Sequence, residues 1–386
     1  MTHAEPASVP AAVGATASRS PWSRFFLGRT LGECLDARRD NILHLRLLAA
    51  AAVVMGHAGL GGSSQIPYDF IHALLPATYM HVLGLIMFFT ISGFLITHSY
   101  QRRPELLRFL WARALRIWPA LAACAVAVAF VLGPFVTKMP LATYLSPQRP
   151  DGPYGYVASS MSVFWLRGTL DGLFDGPVSK LANGPLWTIP VEATMYLWVG
   201  AAGVLRLLRL RWLTSFGIAT VFFVLLLWPM MTGPFETLNT KLSLQGFFGA
   251  GMIACLLRRY IPVSTGIMLL VAIACVAMRT SIHTTPFIWL AIFYFVFWFS
   301  YVPRLPRIPG NLDLSYGLYL WGWPIQQTLA VAFHVVDAMA IFALTLVIGL
   351  SIAAVSWIFV EQPALRFKEA FRGFRALDVN AATARQ

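Results

Sequence analysis

Two ionisable residues in one apolar stretch pose the chemical question. Arg46 and His57 stand eleven positions apart in LRLLAAAAVVMGH. At 100° per residue that offset is three turns plus about 20°, so both leave the same face of a helix, separated along its axis by about 16 Å. A charge inside an apolar helix is costly and is a functional hypothesis by default. Imidazole suits general-base work near neutral pH, and a guanidinium suits holding an anion. The pair also reads as an arginine snorkelling to a membrane surface and an interfacial histidine bonded to a carbonyl. Residue type leaves both readings open.

A carboxylate follows in NGPLWTIPVEATMYLW, residues 183–198, with Glu192 one or two turns into its apolar run. Pro185 and Pro190 are expected to open that helix and free carbonyls, which is tolerable only beside protein or water. If this run enters from the outer side, Glu192 lies at a depth comparable to His57. The two would then form a buried acid/base pair; a structural Glu–His or Glu–Arg pair is the other reading. RRPELLRFLWARALRIWP supplies Arg102, Arg103, Arg108, Arg113 and Arg116, the last two on one helix face. Guanidinium forks suit phosphates, either on a nucleotide or on lipid headgroups. DLSYGLYLWGWPIQQ, residues 313–327, offers Asp313 or Ser315 as a helix cap and Tyr316 and Tyr319 three apart. Core packing accounts for the tyrosines, but the polar pair Gln326 and Gln327 is unusual inside a span.

The elements that must position these residues are apolar and numerous. The chain has 386 residues, 58% hydrophobic and 12% charged, with a mean hydropathy of +0.67. A soluble domain carries about a quarter charged residues. Lipid must therefore solvate much of this surface. A span needs about 20 mostly apolar residues, and the pattern predicts an all-α polytopic transmembrane helical bundle of about ten spans. They are expected near 42–60, 79–99, 115–136, 185–205, 213–232, 242–258, 262–279, 284–302, 314–335 and 338–360. Arginines crowd alternate gaps, as at Arg206, Arg209 and Arg211, then Arg258 and Arg259, then Arg304 and Arg307. By the positive-inside rule both termini are cytoplasmic in an inner membrane. The net charge of +13 thus reads as topology determinants facing membrane lipids, not as a nucleic-acid surface.

Residues 1–41 read as a basic, partly disordered tail, 42–366 as the transmembrane domain and 367–386 as a second tail. The loop 137–184, with Tyr144, Tyr154, Tyr156 and Trp165, reads as an ordered outer flap. Cys34, Cys124, Cys255 and Cys275 lack metal-ligand spacing, so no metal site is expected and they read as small packing residues.

Taken in order, these segments resemble the membrane-bound acyltransferase-3 family, integral-membrane O-acyltransferases of bacterial surface polysaccharides and related substrates. The resemblance spans 41–366 and rests on Arg46 with His57, FFTISGFLIT (88–97), Arg113, Arg116 and Pro119, GPLWTIPVE (184–192), DLSYGLYLWGWP (313–324) and VEQPALRF (360–367). It implies transfer of an acyl group, commonly acetyl, from cytoplasmic acyl-coenzyme A to a hydroxyl of an extracytoplasmic carbohydrate or glycoconjugate. The acyl-coenzyme A is a co-substrate, and no tightly bound cofactor is implied. His57 and Arg46 fall on the pair regarded as essential, Glu192 on a family carboxylate, and Arg113 and Arg116 on a basic motif. The chain departs from the family at Gly322, where many members carry histidine. No hydrolase domain of the SGNH type is expected after the last span.

On that basis Arg46, Arg102, Arg103, Arg113 and Arg116 are expected at the coenzyme A phosphates, with His57 as general base and Glu192 orienting it. Ser92, Trp187, Tyr316, Tyr319, Gln326 and Gln327 are candidate substrate contacts. Ser92 is also the nearest candidate nucleophile for an acyl-enzyme relay, against its reading as a small residue in a tight helix contact. The rival class is a transporter or flippase of a polysaccharide precursor, in which the same groups relay protons without covalent chemistry.

Overall fold

The computed structural model describes residues 28–37, 39–58, 70–75, 78–174, 181–222, 240–281 and 284–369. Most of the expected N-terminal tail (1–27), nearly all of the C-terminal one (370–386) and the end of the fifth expected span (223–232) lie outside the described residues. A two-residue strand β1 (Arg29–Thr30) leads into α1 (Leu31–Asp36), which Thr30 and Glu33 start with a reciprocal capping box. Then follow α2 (Ile42–His57), α3 (Phe70–Leu74), α4 (Met80–Arg102), α5 (Leu106–Ala127) and α6 (Pro153–Met161). Next come α7 (Thr188–Val204), α8 (Arg211–Phe222), α9 (Thr240–Leu256), α10 (Thr265–Ala277) and α11 (Thr284–Tyr301). The last are α12 (Ser315–Val331), α13 (Ala338–Ser356) and α14 (Gln362–Arg366). A second short strand, β2 (Pro262–Val263), pairs antiparallel with β1.

Each expected span overlaps a helix, but the count of ten is not carried by helix length. Among the described residues four helices are long and apolar enough to cross a membrane: Met80–Arg102, Leu106–Val136, Thr284–Tyr301 and Ala338–Arg366. Ile42–His57, Ser243–Leu256 and Thr265–Ala277 are apolar but shorter. The remaining shortfall has local causes. The run at 185–205 begins as a 3-10 turn, Gly184–Trp187, before α7, and α12, of 17 residues, gives up apolarity to its interior Gly, Gln and Pro. Pro190 does not break α7 as expected. It falls in the first turn, where a missing N–H leaves no bond unmade.

Helix α4 is the hub, packing against α2, α7, α9 and α11. Its FFTISGFLIT motif divides by face. A Cβ on Gly93 would lie 2.0 Å from the Phe248 carbonyl oxygen of α9, and one on Gly251 would lie 2.1 Å from that of Thr90. Two glycines thus let the α4 and α9 backbones touch, the small-residue route to helix association when lipid supplies no hydrophobic drive. Outward faces are apolar, with Phe359 73% and Val347 67% exposed. In water such a surface would drive aggregation; against lipid it is solvated.

Two helices are extended by π turns, α5 through Val128–Leu132 and α13 through Trp357–Glu361. α12 carries Pro324 in its interior, which cannot donate to the Leu320 carbonyl. That carbonyl instead accepts from Asn183 Nδ2 at 2.8 Å and Cys124 Sγ at 3.6 Å. The proline therefore ties the segment before α7 to α12. The expected flap is built around α6, with Tyr144 and Tyr156 buried, Trp165 exposed, and Arg149–Asp171 and Arg167–Asp151 ion pairs.

Gly93→Leu drives a side chain into the α9 backbone, which has no room to yield, and overpacking typically costs about 1–3 kcal/mol even in softer sites. The expected result is loss of the monodisperse peak in detergent size-exclusion chromatography. Val347→Leu, on the exposed face of α13, should keep that peak.

Candidate functional site

Asp313 is buried one residue before the helical N-cap of α12, and three helices converge on it. Its Oδ1 accepts from the Ser315 amide at 3.2 Å and hydroxyl at 2.5 Å. Its Oδ2 meets Arg116 Nη2 of α5 at 2.6 Å and Arg46 Nε of α2 at 3.5 Å. Arg46 Nε also donates to Ser315 Oγ at 3.2 Å. Arg116 turns its other arm to Glu361 Oε2 at 3.2 Å, and Glu361 in turn accepts from Ser356. The π turn carries Trp357 and Glu361 to the same guanidinium, which lies 5.8 Å from the Trp357 ring and 5.3 Å from that of Tyr316. Burial pushes the Asp313 carboxyl up, but Arg46, Arg116 and the Ser315 hydrogen bonds outweigh it and hold the pKa at about 2.

Beside this network runs a cavity of about 300 Å³. Arg46, Arg113, Arg116, Asp313 and Lys368 line its basic end, and Thr188, Tyr319 and Leu85 line it farther along. Ser92 and Glu192 also face it. Arg113 differs from its neighbours. Its guanidinium lies 6.0 and 5.9 Å from the Phe109 and Tyr196 rings, its Nε is buried without a hydrogen-bond partner, and no ion pair reaches it among the described residues. Glu192 accepts a short hydrogen bond from the Tyr196 hydroxyl one turn along α7. Tyr319 donates to the Pro185 carbonyl at 2.8 Å and pairs with Thr188, fixing α12 against the start of α7.

His57 stands at the other end of α2. Its Nδ1 lies 2.8 Å from the Val53 carbonyl. A carbonyl only accepts, so Nδ1 carries the proton and Nε2 keeps a lone pair in the neutral ring. The ring packs 4.9 Å from His81 and 5.4 Å from Trp323. His57 does not line the cavity; its ring neighbours His81 and Trp323 each stand about one helical turn along their helices from the lining residues Leu85 and Tyr319.

The expected Glu192–His57 pair is therefore corrected. Among the described residues no hydrogen bond or ion pair joins them: Tyr196 occupies the carboxylate and the Val53 carbonyl orients the imidazole. Of the five arginines expected together, Arg46, Arg113 and Arg116 meet at the cavity, whereas Arg102 and Arg103 are exposed at the end of α4 and do not line it. Ser92, Tyr316 and Tyr319 face the cavity; Trp187, Gln326 and Gln327 do not. Gln326 is spent on structure, donating to the Val54 carbonyl at 2.6 Å. Gln327 is buried, and its Nε2 has no partner among the described residues. At Gly322 a Cβ would lie 2.8 Å from Val54 Cγ2, so the departure from the family histidine coincides with a close α12–α2 approach. Sequence reasoning missed Tyr196, Trp357, Glu361 and Lys368 as site residues. Only Glu361 carried a signal, its place in VEQPALRF.

A family model described as an acyltransferase domain matches residues 39–361. The O-acetyl transferase of Shigella phage Sf6 is 26% identical over 334 residues, covering 82% of this chain and 93% of the phage protein. Nodulation protein 10 of Rhizobium leguminosarum bv. viciae is 26% identical over 373 residues, covering 86% and 95%. No solved structure matches.

Removing one partner from a buried ion network costs about 3–5 kcal/mol. Asp313→Asn should accordingly lower the thermal midpoint of the detergent-solubilised protein by several degrees. The Asp313 contribution has a defined pH window. It is full above the unfolded value of 3.8 and is lost as pH falls towards about 2. The stability gap between wild type and Asp313→Asn should hold from pH 8 to 5 and close below pH 4.

Proposed function

The chain belongs to the acyltransferase-3 family and is an O-acyltransferase, and from that premise we propose that it moves an acyl group from acyl-coenzyme A to a hydroxyl of an extracytoplasmic carbohydrate or glycoconjugate. The observation that carries this reading is the cavity, basic at one end, with the ring neighbours of His57 about one helical turn from its lining residues Leu85 and Tyr319. Its basic end faces the cytoplasm of the inner membrane, with both termini on that side, as the arginine-rich gaps support. The phosphates of coenzyme A sit at that end, and its pantetheine arm follows the cavity towards His57. The span of about 16 Å from Arg46 to His57 suits an arm of that length. A relative named an O-acetyl transferase supports acetyl as the group transferred.

In this mechanism His57 Nε2 accepts the proton of the acceptor hydroxyl as the oxygen attacks the thioester carbonyl. The tetrahedral intermediate then expels the coenzyme A thiolate, which takes the proton back from the imidazolium, so no net proton is consumed. The Val53 carbonyl holds the ring in the tautomer that leaves Nε2 free. Arg113 is the donor's main anchor, because Arg46 and Arg116 are already committed to Asp313 and Glu361. Glu192 and Tyr196 border the donor's path, not the base. The buried Gln327 Nε2, on α12 one turn beyond Trp323, is left for an acceptor oxygen. Acyl transfer displaces the transporter reading as the primary activity.

Labelled acetyl-coenzyme A and the purified protein test this. His57→Ala should abolish transfer while leaving donor binding within about twofold. Arg113→Ala should raise the donor KM by about tenfold or more, the loss expected of a charge-assisted contact. Equal loss of donor binding in both variants would refute the division of labour. No transfer from any acyl-coenzyme A by a well-folded wild type, given a carbohydrate acceptor, would refute the donor assignment.

A further inference from the structure

The helix begun as α13 runs on through its π turn and α14 to Arg366, and this C-terminal strap, with the turn Phe367–Glu369, lies against α5, where Trp111 Nε1 donates to the Phe367 carbonyl at 3.3 Å. This strap brings Leu365 and Lys368 to the cavity wall. The family match ends at residue 361, so Lys368 is a contribution from outside the matched region. Four cations line the cavity, but they are not equivalent. Arg46 and Arg116 are neutralised by Asp313 and Glu361, whereas among the described residues neither Arg113 nor Lys368 forms an ion pair. Two like charges turned into one partly buried cavity repel each other and lose hydration, a cost that an anion between them would remove.

We propose that Lys368 and Arg113 form a two-cation subsite for a phosphate group of the acyl donor, with the C-terminal strap supplying the lysine. This rests on the donor reading above and deepens it, since it assigns the donor's phosphate to a pair of residues and separates them from the arginines that hold the fold. Arginine offers its planar fork and lysine a point charge, a pairing suited to a tetrahedral anion. Burial, followed by the charges of Arg113 and Arg116, lowers the Lys368 ammonium to about 8. The other charged or titratable groups on the cavity are Arg46 on α2, Glu192 and Tyr196 on α7, and Asp313, Tyr316 and Tyr319 at α12. A lysine titrating near 8 binds phosphate when charged, so its contribution is present below that pH and lost as pH rises through it.

The test uses the full chain in phosphatidylcholine nanodiscs and two donors: acetyl-coenzyme A and acetyl-pantetheine, which carries the thioester without phosphates. Lys368→Ala should lower kcat/KM for acetyl-coenzyme A by about tenfold, the loss of one charge-assisted contact, and change it for acetyl-pantetheine by less than twofold. Lys368→Arg should restore the acetyl-coenzyme A value. In the wild type kcat/KM for acetyl-coenzyme A, corrected for the acetyl-pantetheine profile, should fall as pH passes 8, and in Lys368→Arg that fall should vanish. An equal loss with both donors would make the strap merely structural and overturn the subsite. If Arg113→Ala discriminates between the donors and Lys368→Ala does not, the subsite falls and the donor reading stands. If neither discriminates, the donor reading itself falls. A Lys368 effect seen only in discs containing phosphatidylglycerol would assign the lysine to a lipid phosphate and overturn its role towards the donor.

Discussion

The Asp313 carboxylate is the point on which the rest of the arrangement depends. It accepts from Arg46 and Arg116 and starts α12 through Ser315, so one buried anion fixes the relative positions of three helices. Through Arg116 the constraint passes to Glu361 and thus to α13. Low dielectric makes the network strict. Each charge is tolerable only while its partners are in place, and an incomplete set is worse than none. A bundle in lipid has little hydrophobic drive between its helices, so such polar ties and close backbone contacts set the geometry.

That geometry separates holding from binding. Three arginines face one cavity, yet two are consumed by carboxylates, and only Arg113 keeps its charge unmatched by an ion pair among the described residues. A similar division appears on α12. Gln326 closes the contact with α2 by donating to Val54, beside the room that Gly322 leaves, while its neighbour Gln327 has an unpartnered nitrogen. Adjacent residues of one type thus acquire different roles from about 100° of helical rotation.

The base and the cavity are joined by packing, not by a hydrogen bond. His57 is oriented within its own helix by the Val53 carbonyl, so its tautomer does not depend on any distant carboxylate. Trp323 and His81 cover its ring, and one turn further Tyr319 and Leu85 face the cavity. Pro324 helps set this layer. By leaving the Leu320 carbonyl without its helical donor, it gives Asn183 a partner and anchors the turn that leads into α7 and Glu192.

Periodicity and hydropathy by themselves determined that the chain is a helical membrane protein, where its helices lie, and that Arg46 and His57 leave one face of a single helix. These are local properties: the 3.6-residue turn and the solvent preference of each side chain. The order of the motifs determined the family, later matched over residues 39–361. Sequence did not determine how many helices cross a bilayer, because α7 is shortened by a 3-10 turn and α12 carries interior polar residues and a proline that hydropathy averages away. Nor did it pair the charges. Equal depth suggested Glu192 with His57, but depth is one coordinate, and rotation about α7 gave the carboxylate to Tyr196. Asp313 was legible as a helix start and Glu361 as part of a motif, yet their union at Arg116 spans 197 and 245 residues of sequence. Lys368 looked like one basic residue of a tail. Only the packing of the strap against α5 brought it to the cavity, because contacts between distant segments are set by packing in three dimensions and leave no period in the chain.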